Sequence, residues 1–267
     1  MRGRAHVLRF PRSSLRWRME LLWSLMVYRV SLRYKETFFG LGWIFLQPIA
    51  LTALFTYLFQ RFASLPSAGV PYPLFVAAGL VPWSLTALAV SQSAHSITNN
   101  QAFLKRVALP RILLPLSAVL ATLVDFGAML TLLAGLLAYH RFSPSWMSGW
   151  ILPLLGIHLL LLVGLGCLAS LANVFLRDVG QAIPLLLQLW LFASPVFYGS
   201  SWVPEGVGAL TRWNPMTGLI EGYRAVLFQG HSPSPDLMGP LVLVSAGIFA
   251  AGVACFQALE GTVADKL

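Results

Sequence analysis

Residues 112–139 read ILLPLSAVLATLVDFGAMLTLLAGLLAY, a run whose only charge is Asp125. A helix needs roughly 20 apolar residues to cross the hydrocarbon core of a bilayer. A strand of a membrane barrel needs only about 9–11, with alternating polarity. This run is too long and too evenly apolar for such a strand, so it predicts a transmembrane helix. Five more stretches read the same way: Phe38–Gln60, Tyr72–Ile97, Trp150–Leu176, Gly180–Gly199 and Leu237–Leu259, the last ending at Glu260. The expected fold is therefore all-α, a polytopic membrane protein with six transmembrane helices.

Composition points the same way. Of the 267 residues 57% are hydrophobic and 10% charged, where a soluble domain carries about 25% charged residues. Mean hydropathy is +0.74. A water-soluble fold with so few charges would expose large apolar patches. The net charge of +9 does not indicate nucleic acid, because the basic residues lie outside the apolar runs, as membrane topology requires. Fourteen Lys and Arg fall on one side of the six spans and four on the other. That bias places both termini in the cytoplasm. The early apolar run Leu21–Tyr28 is interrupted by Arg29 and lacks a small-residue cleavage site, so it does not read as a signal peptide. Cys167 and Cys255 sit in apolar segments without metal-ligand spacing and read as small buried hydrophobes.

The chain divides at about residue 37. Residues 1–37 form a basic tail and an amphipathic interfacial helix, on which Trp17, Leu21, Leu25, Tyr28 and Leu32 make an apolar stripe. Arg18, Arg29 and Arg33 fall on a neighbouring sector, suited to lipid phosphates. Residues 38–267 form the transmembrane domain. Within it, 200–230 is too broken by Pro and Gly to span, and predicts two short re-entrant or interfacial helices. Segment 98–111 predicts a short amphipathic helix, capped by Thr98, Asn99 or Asn100 and stopped by Pro110. Its Phe103, Leu104 and Val107 stand beside Lys105 and Arg106, a natural docking knob for a soluble partner.

Five motifs lie in order along the chain: RYKETFFGLGW at 33–43 with Gln47-Pro48, PLFVAAGLVPW at 73–83, FLKRVALPR at 103–111, NVFLRD at 173–178 and NPMTGLIEGYR at 214–224. In order, spacing and topology the sequence resembles the membrane subunits of type-2 ATP-binding-cassette exporters, in the branch for O-antigen, capsular polysaccharide and teichoic acid. The resemblance implies a bacterial cytoplasmic (inner) membrane subunit that pairs with a second copy of itself and with two nucleotide-binding ATPase subunits. It implies a lipid-linked glycan as substrate, and coupling to the ATPase through Phe103, Leu104, Lys105, Arg106, Val107 and Arg111. It also implies outward-side gate helices in 200–230. No Gly-x-x-x-x-Gly-Lys-Ser/Thr loop occurs in the chain, so Mg-ATP is expected in the partner and no cofactor here.

Aromatic rings stack on the C–H faces of sugars. Trp43, Gln47 and Phe55 in the first span, with Trp190, Phe197 and Tyr198 in or just past the fifth, are therefore candidates for a glycan path. Asp125, an ionisable group in mid-span, reads as a structural polar group paired with an arginine or bonded across helices, or as a proton or cation site. Arg177 and Asp178 at the end of the fourth span, and Glu221 and Arg224 at i,i+3, read as hinges or gate supports. The five histidines are scattered, and no residue constellation supports catalysis. Two other readings stay open: a type-2 exporter of drugs or another lipid, and an ion-coupled transporter working through Asp125.

Overall fold

The computed structural model describes residues 15–34, 40, 42–62, 69–105, 109–143 and 145–266. It is all-helical among those residues. The chain runs α1 (Leu15–Tyr34), α2 (Gly42–Phe62), α3 (Tyr72–Ala94), α4 (Gln101–Leu104), α5 (Leu113–Tyr139), α6 (Ile151–Phe175), α7 (Asp178–Phe192), α8 (Glu205–Trp213), α9 (Pro215–Arg224) and α10 (Pro235–Lys266). Helices α2, α3, α5, α6, α7 and α10 correspond one for one to the six expected spans. Four of them are long and apolar enough to cross a membrane, and α2 and α7 are shorter apolar helices. The protein is a multi-pass membrane protein.

Two boundaries differ most from expectation. Helix α7 stops at Phe192 instead of reaching residue 199, because Pro195 lacks an N–H and disfavours helix at Ser194. Its 15 residues cover about 22 Å, short of the roughly 30 Å hydrocarbon core. Helix α10 runs on through Glu260 to Lys266. Its last turns are held by packing, since Phe256 and Val263 are buried with Ile97, Leu109, Leu114, Cys167 and Leu171.

Helix α3 is the hub. It is apolar on all sides, and 78% of its apolar window is buried by the chain itself, against 17% for α10. A helix apolar all round must be enclosed or face lipid; α3 is the first kind and α10 the second. Helix α6 packs along α10 at a small-residue crossing. A Cβ on Gly164 would come within 2.5 Å of the Ile248 carbonyl oxygen, so the two backbones approach only because glycine stands there.

Helix α1 packs on α5, with a buried side unlike the expected one. Its inward ridge is Trp17, Leu21, Leu25, Arg29 and Arg33, while Tyr28 and Leu32 are exposed. The arginines continue the ridge at i+4 spacing because α5 offers them Ser117, the Leu114 carbonyl and Asp125.

Candidate translocation site

A cavity of about 510 Å³ opens between α1, α2, α3 and α5. It collects Trp43, Gln47 and Phe55 from α2, Trp83 and Ser91 from α3, Asp125 and Met129 from α5, and Phe197 from the segment after α7. Five of the residues singled out by sequence therefore share one wall. Phe55 and Phe197 stack with ring centroids 3.7 Å apart. Trp190 and Tyr198 lie elsewhere. Trp190 sets its ring edge-on to Trp83 at 5.8 Å and donates Nε1–H to Asn214 Oδ1 at 3.0 Å. The Tyr198 hydroxyl donates to the Phe192 carbonyl, closing the end of α7.

At the end of the cavity nearer residues 98–111, Arg33 Nη1 donates to Asp125 Oδ2 at 2.5 Å. The partner that Asp125 needs in mid-span comes from the N-terminal helix. One turn earlier, Arg29 donates from Nε to Ser117 Oγ at 3.0 Å and from Nη2 to the Leu114 carbonyl at 3.4 Å.

At the other end, residues 193–199 run without helix beside α3. Non-helical backbone at membrane depth survives only where its polar groups are met by protein or water. Here four consecutive carbonyls find donors. Arg224 Nη1 reaches Pro195 O at 2.7 Å and Tyr198 O at 3.3 Å, and Nη2 reaches Val196 O at 2.7 Å. The Tyr72 hydroxyl takes Phe197 O at 2.8 Å. Nη2 also touches the Phe75 carbonyl at 3.3 Å, and the guanidinium carbon lies 3.5 Å from the centre of the Phe75 ring. Arg224 is 1% exposed. The expected i,i+3 pair with Glu221 forms at 3.3 Å, and Glu221 also accepts from the Ser200 N–H. Gly79 makes the approach possible, since a Cβ there would sit 2.8 Å from Val196 O. Helix α9 is buried along nearly its whole length, and Asn214 caps it by accepting from Met216 N–H. The two short helices expected in 200–230 are α8 and α9.

Among the described residues of 98–111, a 3-10 turn (Thr98–Asn100) is followed by the single turn α4, and no side chain caps that turn. The expected cap residues point backwards: Thr98 donates to His95 O and Asn100 to Ser96 O, closing α3. Phe103 and Lys105 are exposed and Leu104 is half-buried; Arg106 and Val107 lie outside the described residues. Arg111 faces inward: its backbone N–H donates to Glu260 Oε1 at 2.9 Å and its Nη1 to Glu260 O at 2.8 Å. Arg177 and Asp178 are exposed at the start of α7, with Asp178 in the first turn, where the helix dipole favours it. The joint there is made by Asn173, which sequence reading passed over. Its Nδ2 donates to Ala94 O at 2.9 Å and Thr98 Oγ1 at 3.3 Å, and its Oδ1 accepts from Gly180 N–H at 2.9 Å. One amide thus ties the ends of α3 and α6 to the start of α7. An amide closing a long apolar run was the available signal.

A broken span at one end of an aromatic-lined cavity and a short exposed turn toward the other is an arrangement to compare with known transporters. The ABC-2 type transporter membrane family matches residues 20–228 of this chain. The chain belongs to that family. Among its relatives, the O-antigen export system permease protein RfbA of Myxococcus xanthus is 28% identical over 254 residues, covering 92% of this chain and 95% of the relative. A Klebsiella pneumoniae protein of the same title is 25% identical, covering 89% and 91%. The polysialic acid transport protein KpsM of Escherichia coli is 21% identical, covering 89% and 92%. The family match begins within α1 and ends in the turn after α9. It therefore takes in the Arg33–Asp125 pair, the turn at Gln101–Leu104 and the Arg224 nest together.

Proposed function

We propose that this chain is the transmembrane subunit of an ATP-driven exporter that moves lipid-linked polysaccharide of the O-antigen, capsule or teichoic acid type across the bacterial cytoplasmic membrane. In this reading it works as two copies with two separate ATPase subunits, which carry Mg-ATP, and both termini face the cytoplasm. The observation that carries it is the near full-length likeness to relatives titled O-antigen export permease and polysialic acid transport protein, in a chain whose cavity is lined by aromatic rings. Trp43, Leu54 and Tyr57 on α2, and Leu185, Leu189 and Phe192 on α7, turn large apolar surfaces outward. A second copy covering part of that surface would widen the cavity into a path fit for a polymer.

Motor force enters at Phe103 and Lys105 and leaves by two routes. Arg111 hands it to α10 through Glu260, and Asn173 hands it to α7. Asp125 is a structural partner of Arg33 in this mechanism. The test is export by proteoliposomes holding the chain with its ATPase partner. Export should require ATP and should be lost in Phe103→Asp, which inserts normally but no longer retains the ATPase. Transport that persists without ATP, or normal assembly of Phe103→Asp, would overturn the proposal.

A further inference from the structure

A second cavity, of about 350 Å³, opens where α1 crosses the end of α3. Its wall is polar: Arg29, Arg33, Gln92, Asn99 and Asn100. Its outer lip is apolar, formed by Tyr28 and Leu32, 57% and 61% exposed. Arg29 is the unusual member. Its guanidinium is half-buried and its hydrogen-bond partners, Ser117 and the Leu114 carbonyl, are both neutral. A partly desolvated cation whose hydrogen bonds among the described residues go to neutral groups favours an arriving anion. Burial and the neighbouring charge of Arg33 both push its pKa down from the usual arginine value, as expected where a counter-charge would be stabilising. Arg33 lines this cavity and the larger one, so an anion bound here competes with Asp125 for the same guanidinium.

We propose that this cavity seats the phosphate group of a membrane lipid, with Arg29 and Arg33 as cationic ligands, the amides of Gln92 and Asn99 as neutral donors, and the acyl or prenyl chain leaving over Tyr28 and Leu32. Phosphate geometry suits paired guanidinium groups. The apolar lip selects an oxyanion borne on a hydrocarbon over a free one. An occupied site loosens the Arg33–Asp125 pair and so links lipid arrival to the wall of the larger cavity.

The test uses the full chain in nanodiscs of phosphatidylcholine and measures saturable binding of a radiolabelled polyprenyl diphosphate. Phosphatidylglycerol and inorganic pyrophosphate are the competitors. Arg29→Gln should weaken binding about tenfold or more, Arg29→Lys less, and Asp125→Asn should strengthen it by freeing Arg33. Asn99→Asp sets a carboxylate at an exposed rim position and should match Arg29→Gln without touching the core, which covers the case where Arg29→Gln fails to fold. Competition by phosphatidylglycerol supports a general lipid-phosphate seat; its failure to compete supports a seat selective for the polyprenyl carrier. Inorganic pyrophosphate binding as tightly as the lipid would overturn the proposal, as would unchanged binding in both Arg29→Gln and Asn99→Asp. Export is no part of the readout, so a negative result leaves the ATP-driven reading untouched.

Discussion

Two arginines stand toward opposite ends of the larger cavity, Arg33 lining it and Arg224 buried behind the segment that carries Phe197 into it, and they are held in opposite ways. Arg224 is fully enclosed and bonds four carbonyls and one carboxylate. Arg33 keeps about a quarter of its side chain exposed and pairs with a carboxylate that is itself partly exposed. The first arrangement replaces water for a stretch of broken backbone. The second is an ion pair beside open space, and a competing anion can exchange into it. A rigid end and an exchangeable end are what a gated path requires.

The strongest way to break this contrast is Arg224→Ala. It removes the donor to the carbonyls of residues 195, 196 and 198 and should cost about 3–5 kcal/mol, seen as loss of monodisperse protein or a large fall in thermal midpoint. A midpoint close to the parent's would show that the nest is not what holds the break. Asn173→Ala removes the amide joining α3, α6 and α7, and about 2–3 kcal/mol is expected from the buried groups left unpaired. Proteolysis should then cut first near residues 176–180.

The near end should respond differently. Arg33→Ala and Asp125→Ala, alone and together, should give thermal shifts that fail to add, with a coupling of about 1–3 kcal/mol. Strict additivity would mean the pair contributes nothing as a pair. Glu260→Gln keeps the contact to the Arg111 backbone in weakened form and leaves the Glu260 carbonyl in place. ATP turnover of the assembled complex should continue while export per ATP falls about threefold, as expected where one charged hydrogen bond on the proposed transmission path becomes a neutral one. The smallest effect belongs to Tyr198→Phe: its hydroxyl bond to Phe192 is exposed, and a shift within about 0.5 kcal/mol is expected.

Much of this was legible in residue order. Six apolar runs became six apolar helices, since uncharged stretches of that length have no other stable state in a bilayer. The Glu221–Arg224 spacing correctly foretold their pair, because i,i+3 neighbours on a helix are adjacent whatever else surrounds them. What failed were choices between directions. Thr98 and Asn100 were expected to cap the helix after them and instead close the one before, a decision that depends on which backbone groups are left open. Trp17, Leu21, Leu25, Tyr28 and Leu32 were expected on one apolar stripe, but the first three join Arg29 and Arg33 on the side turned toward the bundle, while Tyr28 and Leu32 stay exposed.

Sequence by itself determined that this chain lives in a membrane, roughly where it crosses, and which residues are polar enough to matter there. Each follows from the free energy of moving a side chain or a peptide group out of water, a local property. Only the tertiary structure decided what those residues do. Arg224 serves the end of α7, twenty-six to twenty-nine positions earlier in the chain, and Arg33 serves Asp125, ninety-two positions later. A buried charge must find a partner, but which partner depends on which helices meet, and that is fixed by packing across the whole bundle.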